Sequence, residues 1–93
     1  MDISKVSQLD VSDLEPPQPM NQITAALHKL AAGEVIAVKH RRKPVPLFEM
    51  IAGRFDHICV EVSPSQFQLY FWQREDNDAK ILAELLCNEK HPL

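Results

Sequence analysis

The alternation of apolar and polar positions divides the chain into seven expected elements. Gln8 to Asp13 alternates, with Leu9 and Val11 on one side and Gln8, Asp10 and Ser12 on the other. That period of two is the mark of a half-buried strand. Residues 1–7 read as a loose lead-in. Glu15, Pro16, Pro17, Gln18 and Pro19 then stop the strand, because proline brings no N–H to a ladder. Pro19 suits the first turn of a helix, where its fixed φ fits and its missing donor costs nothing. Met20, Ile23, Ala26, Leu27 and Leu30 follow at helical spacing and predict an amphipathic helix with one apolar stripe. Gly33 is the expected cap of that helix.

Val35 to His40 predicts a second strand, with Ile36 and Val38 sharing a face. The loop Arg41–Pro46 carries Pro44 and Pro46. Pro46 opens a second helix bearing Leu47, Phe48, Met50, Ile51 and Phe55, with Gly53 at its end. His57 to Val62 alternates again, as does Gln66 to Arg74, and Ser63, Pro64 and Ser65 between them predict a hairpin. On the last strand Phe67, Leu69 and Phe71 share one face, and Gln68, Tyr70 and Trp72 the other. Asp76 or Asn77 caps a final helix whose apolar residues are Ile81, Leu82, Leu85 and Leu86.

The order is β-α-β-α-β-β with a helix appended. Strand–helix–strand connections imply parallel pairing and right-handed crossovers. The expected fold is therefore an α/β (α+β) two-layer sandwich. It has a mixed four-stranded sheet, two helices on one face and an extra C-terminal helix. Residues 8–74 form the expected domain, and 75–93 the helix and tail. The face holding Val35, Ala37, Cys59, Tyr70 and Trp72 is too apolar to stay bare. Either the final helix covers it or a partner does, a second copy of the chain included. Tyr70, Trp72, Ile81 and Leu85 are thus the candidate interaction face.

Composition narrows the function classes. A chain of 93 residues supports one core and little depth of active site. The net charge of −3 removes the basic field that nucleic acid or an anionic membrane needs. No apolar run approaches the roughly 20 residues that cross a bilayer, and the first residues carry no signal pattern. Two cysteines, Cys59 and Cys87, are too few for a disulfide framework. The expectation is a cytoplasmic protein with reduced thiols.

The segment Leu9-Asp10-Val11-Ser12-Asp13-Leu14-Glu15-Pro16-Pro17-Gln18-Pro19-Met20 resembles the opening of the TusA-like (SirA-like) sulfur-carrier clan. Those carriers have a Leu-Asp strand followed by Cys-Pro-x-Pro at the first helix. Gly33-Glu34-Val35 resembles their turn into the second strand. The segment His40 with Pro44-Val45-Pro46-Leu47 is similar to a subfamily of the clan that carries Pro-Pro-x-Pro. The resemblance runs from about Leu9 to Trp72 and implies the same β-α-β-α-β-β fold. It also implies a loss. Pro16 stands where the carriers have their cysteine, and proline offers no thiolate to accept a sulfur atom. Pro17 and Pro19 match the structural prolines.

Two loops leave the carboxyl ends of the first two strands, the edge where open α/β sheets bind ligands. The second holds His40, Arg41, Arg42 and Lys43. Arginine grips carboxylates and phosphates with two N–H groups at once. The expected site is therefore one for a small anion or an acidic protein partner, built by His40, Arg41 and Arg42, with Gln18 lining it and Glu15 as internal counter-ion. The opposing reading is a solvated run of charge. A sulfur-relay or redox accessory role would instead use Cys59, with His57 two residues away, or Cys87, and Cys87 with His91 forms a Cys-x3-His pair that is a weak sign of metal. A small enzyme is the weakest alternative, since the chain lacks a Ser-His-Asp set, paired carboxylates, a metal cluster and a glycine-rich loop. No cofactor, no metal and no catalytic residue is expected.

Overall fold

A computed structural model describes residues 3–90. The lead-in residues Met1 and Asp2 and the tail from His91 to Leu93 lie outside them. After a short 3-10 turn at Ile3–Lys5 come β1 (Val6–Asp10), α1 (Gln18–His28), β2 (Val35–His40), α2 (Val45–Ile51), β3 (Phe55–Ser63), β4 (Gln66–Gln73) and α3 (Asn77–Lys90). The sheet order is β1-β2-β4-β3. β1 and β2 are parallel, with Leu9 opposite Val38. β4 runs antiparallel to both β2 and β3. The crossover through α2 thus returns a strand parallel in direction to β2 but not beside it, because β4 inserts between them. The expected α/β sandwich with a mixed four-stranded sheet is the one found.

Both crossover helices cover one face. Ile23 and Leu27 of α1 and Leu47 and Ile51 of α2 pack on Ile36, Val38, Leu69 and Phe71. Pro19 sits in the first turn of α1 as expected, and Pro46 in that of α2. The peptide between Pro16 and Pro17 is cis.

α3 covers the other face. It lays Ala79, Ala83 and Leu86 over Val35, Ala37, Tyr70 and Trp72. These two aromatics are the large groups of the second core, each burying on the order of 150–250 Å². Small residues on the helix let it approach them closely. The expected interaction face is therefore corrected. Tyr70 and Trp72 are interior residues beneath α3, Leu82 and Leu86 pack with them, and Ile81 and Leu85 point outward, 56% and 46% exposed.

Several boundaries also move. β1 begins at Val6, inside the expected lead-in, and ends at Asp10 rather than Asp13. There the Asp10 carboxylate accepts the Ser12 N–H and hydroxyl and turns the chain. Val11 stays fully buried beyond the strand end. Phe55 belongs to β3, not α2. Leu30 is buried past the end of α1. Gly33 does not cap α1, which ends at His28 with Lys29 as its C-cap. At φ +82° it makes the turn into β2 and donates its N–H to Asp76 Oδ2 at 2.7 Å. The other oxygen of Asp76 accepts the Ala79 N–H and caps α3. One carboxylate thereby ties the start of α3 to the start of β2. Cys59 changes face as well. It pairs with Leu69 and packs on the α1/α2 core, while Ile58 pairs with Tyr70 and joins the α3 core.

Candidate functional site

Parallel pairing of β1 and β2 sends the loops after them out side by side. Val11 N–H donates to the Lys39 carbonyl at 2.9 Å, so the pairing persists to the mouth of both loops. The first loop carries Asp13 and Glu15, the second Arg41, Arg42 and Lys43. Arg41 crosses between them. Its guanidinium lies 3.4 Å from Glu15 Oε1 and reaches the Leu14 carbonyl at 3.5 Å. Arg41 is 37% and Glu15 81% exposed, so water screens the pair. Exposed pairs of this kind are worth about 0–1 kcal/mol. Arg42 and Lys43 face solvent.

His40 behaves differently from its neighbours. It is buried, and its Nδ1 accepts the Arg42 N–H at 3.0 Å. Its proton in the neutral state is therefore on Nε2. Burial lowers its pKa from the usual histidine value, and the fields of Arg41 and Arg42 lower it further. His40 contributes a neutral imidazole to the site and no positive charge. Gln18 begins α1 with its N–H on the Glu15 carbonyl at 2.9 Å, and its side chain is exposed.

Beside His40 opens a cleft of about 400 Å³ lined by Ser12, Lys39, Val62, Gln66 and Phe67, with Gln68 at its base. That volume lies within the range of small-ligand sites. Ser12, Gln66 and Phe67 were not among the expected site residues. The signal for them is register. His40 pairs with Phe67, so the start of β4 comes to the end of β2. Gln68 is buried and donates its amide N–H to the Val38 carbonyl at 3.2 Å, which fixes that wall.

The Cys59 thiol shows no activation. Burial pushes the Cys59 thiol up, and Glu61 adds to this, while Lys43 acts against it. His57 lies flat on Phe48 of α2, with ring centroids 3.8 Å apart and planes within 9°. Its pKa is lowered, mostly by burial. A thiol with a raised pKa next to a neutral imidazole is a poor nucleophile at neutral pH. Cys87 is half-buried against the α3 core, and its suggested partner His91 lies outside the described residues. Among the described residues no group of three or more His, Cys, Asp or Glu side chains is placed to hold a metal ion. Among them, too, no helix is long and apolar enough to cross a membrane.

No curated protein and no solved structure matches the chain. One family model, described as an uncharacterized conserved protein (DUF2249), matches residues 8–82, from within β1 to the middle of α3. That span covers most of the sequence, and the chain belongs to the DUF2249 family.

Proposed function

We propose that this protein is a non-catalytic binding module that takes an acidic ligand, or an acidic segment of a protein partner, at the carboxyl ends of β1 and β2. The observation that carries this reading is the exposed Arg41–Glu15 pair joining two adjacent loops, with Arg42 and Lys43 beside it. A weak, screened pair opens at little cost. An incoming carboxylate or phosphate displaces Glu15 and gains Arg41 and Arg42 together, bonds stronger than neutral ones. The neighbouring cleft at His40 and Phe67 accepts the less polar part of the same ligand. The kinship with sulfur carriers is a reading of the motif residues. In it, exposed Pro16 occupies the carriers' thiol position, and the scaffold keeps the location of the site without its chemistry.

The test is thermal denaturation at low salt in the presence of phosphate, citrate and an acidic peptide. Wild type is expected to gain stability with at least one of them. Arg41→Ala with Arg42→Ala abolishes that gain, and Glu15→Gln enlarges it by removing the competing carboxylate. A wild type that none of the three stabilises, or a gain that the double alanine variant retains, refutes the site.

A further inference from the structure

The sheet has two outer strands, and they are not alike. β1 is five residues long and ends at the Asp10 turn. β3 is nine residues long and, from Phe55 to Ser63, contains no proline, glycine or lysine. Short length, proline and lysine are the usual means by which an outer strand is kept from pairing. β3 has one irregularity, between Glu61 and Ser63 at its far end.

The direction of its open groups follows from the ladder. Arg74 N–H donates to the Arg54 carbonyl at 2.9 Å. Antiparallel pairing alternates, so Asp56, Ile58 and Val60 turn their polar backbone groups to β4. His57, Cys59 and Glu61 turn theirs to the open edge. Three residues in a row at this spacing offer a complete template for another strand.

We infer that this edge pairs with itself: a second copy adds its β3 antiparallel to the first, about a two-fold axis through Cys59. In that register Cys59 faces its own copy, His57 faces Glu61 of the partner, and Ile58 faces Val60 of the partner. Every other register that matches the outward groups separates His57 from the partner's Glu61. Centred on Cys59, the contact instead repeats a histidine–glutamate pair and an apolar pair twice by symmetry. A neutral imidazole donates an N–H to a carboxylate, and branched apolar pairs stabilise neighbouring strands. His57 and Glu61 are both exposed on the α1/α2 side, and the His57 ring, lying flat on Phe48, would meet the partner's Glu61 through its edge. The contact is isologous, which closes at two copies.

Sedimentation equilibrium of the full chain over a range of concentrations tests this, with Glu61→Lys alongside. Wild type is expected to be a dimer, and Glu61→Lys to weaken it by roughly tenfold or more, because it removes the carboxylate that accepts the His57 N–H at both symmetric positions. Glu61 is exposed, so circular dichroism of the variant should be unchanged. In a Cys87→Ala background, mild oxidation is expected to yield a covalent dimer through Cys59. Directly opposed residues lie about 5.5 Å apart at Cα, within the span a disulfide bridges. A chain that stays monomeric at every concentration, a dimer untouched by Glu61→Lys, or a dimer that does not cross-link at Cys59 overturns the proposal. Should Glu61→Lys alter the fold, the Cys59 cross-link alone decides.

Discussion

The two faces of the sheet solve the same problem with opposite distributions of bulk. On the α1/α2 face, helix and strand both contribute medium-sized and large groups: Ile23, Leu27, Leu47 and Ile51 meet Ile36, Val38, Leu69 and Phe71. On the α3 face, the sheet supplies the bulk through Tyr70 and Trp72, and the helix supplies room through Ala79 and Ala83. Interiors are packed to nearly crystalline density, so a large group on one layer must meet a small one on the other. The first face is built by interdigitation and the second by close approach. The two should therefore fail in different ways when residues are resized.

Deletion should hurt the first face most. Phe71 is fully buried beneath both crossover helices. Phe71→Ala is expected to cost about 3–5 kcal/mol, a large part of the 5–15 kcal/mol that domains usually possess. Urea denaturation reads the loss directly. A cost near that of a surface change would mean that α1 and α2 are loosely seated and that the contrast between the faces is overstated.

Insertion should hurt the second face selectively. Ala83 is fully buried against the aromatic pair. Ala83→Leu adds volume where the helix already lies close, and overpacking of that kind costs about 1–3 kcal/mol. The same change at Ala25, on the exposed side of α1, should stay within about 0.5 kcal/mol. Equal effects at both positions would show that α3 shifts outward freely and that its alanines do not set the approach.

This contrast also explains how far the sequence could be read. β2 was legible because Val35 to Val38 is apolar at every position, as a strand covered on both faces must be. The adjacency of the two loops followed from the parallel crossover. The packing side of α3 was half legible: Leu82 and Leu86 do pack on the sheet, but Ala79 and Ala83 carry little hydrophobic signal while outward Ile81 and Leu85 carry much. Phe55 sits four residues after Ile51, a helical spacing, yet the turn at Gly53 separates them into different elements. Cys59 was placed on the wrong face because alternation within one strand says which residues share a side, not which side it is. That depends on the register with β4. At the site, the charges of Arg41 and Glu15 were readable. The neutrality of His40 was not, since it arises from burial and from the Arg42 N–H on Nδ1.

The smallest expected effect probes a polar flaw in the second core. The Tyr70 hydroxyl is buried among apolar groups, and it has no hydrogen-bond partner among the described residues. Burial, with a smaller contribution from Cys87, pushes its pKa up to about 12, so it stays a neutral phenol. A buried hydroxyl without a partner bears a desolvation cost that no bond returns. Tyr70→Phe removes the oxygen and keeps the ring between the sheet and the helix. The variant should gain about 1 kcal/mol, which raises the melting temperature by roughly 4–8 °C in a domain this small. A loss of similar size would instead show that the oxygen is bonded in solution. A water beneath α3 would then be part of the core, and close approach of helix to sheet would not be the whole account of that face.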